Sequence, residues 1–161
     1  MRDISFEVGP WRFNYRVGAL IVREDAVLVM RDNPAPYWYV PGGRVKSGET
    51  ACEALMREMH EELACTCHVG RLVVIDENFF TDDASAMPIH ELCLYFLTSL
   101  PARWLSPAVD CSSELWWCPL SALTVADVRP RWLSDVVIHP PDTIIHLVTG
   151  EPTALQADCR P

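Results

Sequence analysis

Apolar residues recur every four positions at Ala51, Leu55, Met59 and Leu63, with Glu, Arg and His among the intervening residues. That spacing predicts one amphipathic helix with a buried stripe. Thr50 followed three residues later by Glu53 predicts a capping box at its start. Elsewhere the period shortens. Residues 11–22 (WRFNYRVGALIV) alternate aromatics at Trp11, Phe13 and Tyr15, then run continuously apolar, as a strand does on entering a buried sheet. A polar turn at Arg23, Glu24 and Asp25 leads into AVLVMR (26–31), which is expected to pair back as a hairpin. Residues 33–36 carry two prolines and read as a loop. Residues 38–40 (WYV) read as a short strand stopped by Pro41, Gly42 and Gly43.

Beyond the helix, strands are expected over roughly 68–80, 91–100 and 114–120, with a loop at 81–88 that holds Asp82, Asp83 and Pro88. Short helical pieces are expected around 119–126 and 130–138, a last strand at 144–149, and fraying after Gly150. Strands around one long helix predict a single-domain α/β sandwich with a mixed sheet over residues 1–161, in which 1–13 and 151–161 are peripheral. In a strand, Trp116 and Trp117 must face opposite ways. One is then expected in the core and the other exposed or at an interface, which would favour a homodimer.

Composition narrows the function classes. Half of the 161 residues are hydrophobic and 22% are charged, as in a soluble globular domain. The opening MRDISFEVGP lacks the apolar run of a secretory signal, and no stretch reaches the eighteen apolar residues of a membrane span. The seven cysteines are odd in number and follow no framework spacing, so a reducing cytoplasm is the expected setting. Cys65 and Cys67 form a CxC pair without the partners a structural zinc site needs. A formal net charge of −9 argues against binding a nucleic-acid polymer, though not against a small phosphorylated substrate.

The acidic residues of the helix are the informative exception to its regularity. Glu58, Glu61 and Glu62 share one region near its C-terminal end. Glu58 and Glu62 repel one another at i,i+4, and the helix macrodipole disfavours anions there. Selection for helix stability alone would not choose this arrangement. A hard divalent cation, which takes oxygen ligands, would relieve it. The bland alternative is a solvated acidic face.

The cluster belongs to a longer pattern. Gly43 is followed by five spacers and Glu49, then by seven spacers and Arg57, Glu58, Met59, His60, Glu61 and Glu62. At about one chance in fifteen per position, six charged or glycine matches in one register arise by coincidence roughly once in ten million. The pattern resembles the signature box of the Nudix hydrolase family, placed here at 43–65, and the likeness extends over roughly residues 14–150. Ala64 stands where that family has Gly and Cys65 where it has a large aliphatic residue, so the exit from the helix is expected to differ.

The resemblance implies a Nudix-type α/β/α sandwich and an enzyme that hydrolyses a diphosphate linkage in a nucleoside diphosphate derivative, with Mg²⁺ or Mn²⁺ as cofactor. It implies Glu58, Glu61 and Glu62 as metal ligands, with a main-chain carbonyl of Gly42 or Gly43 as a further one. Gly43, Glu49 and Arg57 are implied as the architecture of the box, Arg57 orienting the first ligand carboxylate. The general base is open between a box residue such as Glu58 or Glu61 and an outside carboxylate, with Glu91 ahead of Glu77. For substrate, Arg16, Arg31 and His90 are candidates to meet phosphates. Trp38 and Phe80, together with Trp11, Phe13, Tyr15 and Tyr37, are candidates to stack on a base. Nucleoside triphosphates and nucleotide sugars such as ADP-ribose both fit. The alternative is a Nudix-like module that senses a nucleotide without cleaving it.

Overall fold

In the computed structural model, which describes residues 1–33, 35–82, 85–104 and 113–151, two mixed sheets hold the site. The larger sheet takes in β1 (Ser5–Val8), β2 (Trp11–Leu20), β6 (Gly42–Arg44), β7 (His68–Thr81), β8 (Pro88–Ser99) and β11 (Ile145–Gly150). Its order is β1-β2-β8-β7-β11, and β6 pairs antiparallel with the second half of β2. β2 and β8 run parallel, as do β7 and β11. The smaller sheet has β3 (Val22–Arg23), β4 (Ala26–Asp32), β5 (Trp38–Tyr39), β9 (Ser113–Pro119) and β10 (Val128–Arg129).

The long helix, α1 (Ala51–Leu63), starts where the sequence predicts. The Thr50 hydroxyl accepts from the Glu53 backbone N–H, and the Glu53 carboxylate accepts from the Thr50 N–H. Leu55, Met59 and Leu63 are fully buried, joined by Ala54, and pack with Val17, Ala19, Val45 and Phe96. A second core on the other side of the large sheet gathers Leu20, Val29, Val73, Tyr95 and the α2 residues (Leu133–Ile138) Leu133, Val136 and Val137. The sheet is thus covered on both faces, giving the α/β sandwich.

Several elements differ from expectation. Gly42 and Gly43 do not stop a strand. They begin β6, because without side chains they lie against β2 where a Cβ at Gly42 would strike the Val17 carbonyl. Residues 5–8, read as peripheral, form an edge strand on β2. The helical piece expected at 119–126 shrinks to a 3-10 turn at Leu120–Ala122, followed by β10, which pairs parallel with β5. Trp116 and Trp117 do face opposite ways, but both are half-buried, one with each core. The exposed Trp that would have favoured a dimer is therefore absent from this pair. Asp83, Pro34 and the tail from 152 to 161 lie outside the described residues.

The helix exit has a definite form. Ala64 adopts the left-handed conformation (φ 50°, ψ 36°), so the chain turns as a glycine would turn it. A Cβ there costs about 1 kcal/mol, partly offset by the lower unfolded-state entropy of Ala. We expect Ala64→Gly to raise stability by about 0.5 kcal/mol, read as a shifted denaturation midpoint. A lowered midpoint would contradict the strained exit.

Candidate functional site

The loop from β6 into α1 is organised around Arg57. Its Nε and Nη2 donate to the two oxygens of Glu49 at 2.7 and 3.0 Å, and Nη2 also donates to the Arg44 carbonyl at 3.0 Å. Nη1 donates to Glu58 at 2.6 Å and to Glu61 at 3.2 Å. The bidentate pairing fixes the loop against the helix. With Arg57 beside it and the Lys46 N–H donating to it, Glu49 has its carboxyl held down to about 2.

Two box carboxylates, Glu58 and Glu62, meet the glycine strand. Glu62 accepts from the Gly42 N–H at 3.1 Å. The Glu58 carboxylate occupies the space beside Gly43, where any Cβ would overlap it. Burial and the neighbouring Glu58 charge push the Glu62 carboxyl up to about 8, against the Gly42 hydrogen bond. Glu61 is 52% exposed and lies 3.9 Å from Lys46. Glu58 and Glu61 thus share Arg57 Nη1 as their nearest donor, while Glu62 answers the Gly42 N–H. Among the described residues no three His, Cys, Asp or Glu side chains are grouped closely enough to hold an ion.

A cavity of about 330 Å³ opens over this region, lined by Asp3, Arg16, Gly43, Arg44, Lys46, Arg57, Glu58 and Glu61. It combines carboxylates with four cations, as a site for a metal-bound polyphosphate requires. Oxygen donors only, two of them crowded against backbone that no side chain can fill, suit a hard divalent ion. Burial and the Glu58 charge together penalise the ionised Glu62, and such an ion would offset that penalty. The donor set therefore fits Mg²⁺ or Mn²⁺ in chemistry.

Strand alternation sorts the outlying candidates. Asn14, Arg16, Asp76 and Glu91 share one face of the large sheet, and Glu91 lies 3.8 Å from Arg16, whose side chain reaches the cavity. Glu91 is only 8% exposed, and burial raises its carboxyl, with Arg16 pulling the other way. His90, next in the chain, points to the opposite face. There it stacks on Phe79 at 4.4 Å, meets Phe13 edge-on and lines a separate apolar cleft with Phe6, Val8, Trp11 and Phe13. Glu77 shares that face with His90, and its carboxylate accepts a hydrogen bond from His146 Nε2 at 2.9 Å.

Sequence reading offers His90, Glu77, Trp11 and Phe13 as site residues, and the structure puts them on the sheet face opposite Arg16 and Glu91, outside the cavity lining. Phe80 pairs with Ile89 on the near face but is separate from the cavity lining. Arg31 donates to Glu114 at 2.7 Å and covers the Trp38 ring, which packs on Trp116 at 5.2 Å. Those two candidates form a cluster of their own. Tyr15 packs into the α1 core, and Tyr37 lies under Arg129. Sequence reading missed Asp3, Arg44 and Lys46. The alternation of Arg44 and Lys46 about the buried Val45 is the signal that could have found the last two.

This fold and this box define a NUDIX domain. The family model for that domain matches residues 12–137, and the chain belongs to the Nudix hydrolase family. Nudix hydrolases use divalent metal ions. Among curated proteins, the human 8-oxo-dGDP phosphatase NUDT18 is 45% identical over 40 residues, covering 25% of this chain and 12% of that protein. The chain spans between 12% and 21% of the length of the curated relatives it matches. Among solved structures, the MutT protein from Bacillus halodurans superposes with a TM-score of 0.61 at 19% identity, over 86% of this chain and 91% of that one. An ADP-ribose pyrophosphatase from Streptococcus suis gives 0.59 at 14% identity, over 84% and 98%. These structural likenesses establish the fold.

Proposed function

We propose that this chain is a metal-dependent pyrophosphohydrolase that cleaves the diphosphate linkage of a small nucleoside diphosphate derivative, a nucleoside triphosphate or a nucleotide sugar. The observation that carries the reading is the packing of Glu58 against Gly43 in a cavity that also presents Arg16, Arg44 and Lys46, with Glu62 accepting from the neighbouring Gly42 N–H. The names of the relatives, an 8-oxo-dGDP phosphatase and an ADP-ribose pyrophosphatase, support the substrate class. The five described thiols are free, in keeping with a reducing cytoplasm as its setting.

Glu58, Glu61 and Glu62 would hold Mg²⁺ or Mn²⁺, with a Gly42 or Gly43 carbonyl as a further ligand. When bound, the ion neutralises phosphate charge and lowers the pKa of water. The chain's own residues do the rest. Arg57 holds Glu58 at the cavity by a 2.6 Å charged hydrogen bond, and Glu49 keeps Arg57 in place. Arg16 meets the substrate phosphates from the sheet side. Glu91 is the base in this reading: it lies beside Arg16 on the cavity's side of the sheet, and burial raises its proton affinity.

Screening the purified protein with Mg²⁺ against nucleoside diphosphate derivatives, with products identified by mass, tests the reaction. Glu61→Gln should lower turnover about a hundred- to a thousandfold with the fold intact. Undiminished turnover would refute the ligand assignment. The competing reading is a nucleotide sensor that does not cleave, favoured by the hold of Arg57 on Glu58 and Glu61. Tight nucleotide binding without phosphate release across the panel would support it.

A further inference from the structure

The cations of the box cavity fall into two groups. Arg57 is saturated by hydrogen bonds of 2.6 to 3.2 Å. The other three sit beside a carboxylate but outside hydrogen-bond distance: Arg16 3.8 Å from Glu91, Lys46 3.9 Å from Glu61 and Arg44 3.7 Å from Asp3. Arg44 also carries a buried Nε with no partner among the described residues. Their donors are unspent and their charges only loosely balanced.

Asp3 differs from the other two carboxylates, because its place in the cavity wall is set by backbone rather than by its own side chain. Ile4 N–H donates to the Val45 carbonyl at 2.8 Å, and Ser47 N–H donates to the Arg2 carbonyl at 2.8 Å. Asp3 thereby bridges to Lys46 in antiparallel register. The segment is fastened alongside β6, and its one acidic group projects into a cavity otherwise suited to phosphate.

We propose that Asp3 is a specificity-determining residue, a built-in counter-anion to Arg44 that a substrate phosphate must displace. It lowers the affinity of the cavity for phosphate and so discriminates against weakly held or singly charged anions. Both partners are 42% exposed, which limits the effect to a few-fold change. The backbone bonds that fasten residues 2–4 do not use the Asp3 side chain, so Asp3→Asn leaves the segment attached.

The proposal rests on the cavity being a phosphate site but not on turnover, so it is tested by calorimetry with inorganic pyrophosphate in the presence of EDTA. At low salt, Asp3→Asn should tighten binding about threefold. The gain should vanish in about 0.5 M salt, and again when Arg44→Gln is added. Unchanged or weaker binding by Asp3→Asn, a gain that survives Arg44→Gln, or no binding by either protein overturns it. The hydrolase reading stands or falls separately on the substrate panel. If the panel succeeds, KM for the accepted substrate falls by the same factor in Asp3→Asn.

Discussion

Glu62→Gln is expected to move stability and activity in opposite directions. The Glu62 carboxyl holds its proton to about 8 in the folded chain, against 4.5 as its ordinary value. Folding therefore binds a proton between those pH values, and the contribution of Glu62 to stability falls as pH rises from 4.5 to 8. Below 4.5 both states are protonated and the penalty is absent. Above 8 it is fully expressed, at on the order of a few kcal/mol once solvent screening of a half-buried group is allowed for. Gln keeps the shape and an oxygen for the Gly42 N–H, so it should stabilise the metal-free protein by about 1–3 kcal/mol at pH 9 and by little at pH 4. It should also lower turnover about a thousandfold, since a neutral amide is a poor ligand for Mg²⁺. Denaturation midpoints at the two pH values, with and without Mg²⁺, provide the check. Equal increments at both pH values would show that charge at Glu62 is not the cause.

Gly42→Ala should cost both stability and turnover. Gly42 has φ +152°, and a Cβ there would meet the Val17 carbonyl and the Gly18 backbone in the paired β2 strand. Backbone cannot move aside as a side chain can. β6 would separate from β2, taking with it the N–H that Glu62 accepts from and the wall beside Glu58. We expect a loss of about 3 kcal/mol and turnover near background, measured by denaturation and by the panel assay. Substitution with a Tm shift below a degree or two would mean that β6 tolerates more displacement than this packing allows.

What could be read from the sequence follows from the length of each signal. α1 carries thirteen residues of periodic pattern with a capping box; its start is as expected, and so is its buried stripe except that Ala54 rather than Ala51 is fully buried. β7 and β8 are long and apolar enough to announce themselves. β5, β10 and β6 are two or three residues each, and pairing rather than composition makes them strands. Gly42 and Gly43 misled because glycine is common in turns. Here it serves close approach between strands, a property of the partner and invisible in the pair itself.

The site divides in the same way. Arg57, Glu49, Glu58, Glu61 and Glu62 are local, and the box register brings them together. His90 and Glu91 are adjacent in sequence, yet they face opposite sides of the sheet. Which of the two lies with Arg16 depends on registry with β2, more than seventy residues away in the chain. Asp3 reaches the cavity through backbone pairing that its own sequence does not signal.

The bonds of Arg57 begin and end between residues 44 and 61. Its ionic needs are met inside one contiguous stretch, so this unit is self-sufficient and makes few demands on the scaffold around it. Such a unit can be carried intact while the surrounding strands diverge to read different cargo. Diversification is then cheapest at the strands and the N-terminal flank, where Arg16 and Asp3 are found.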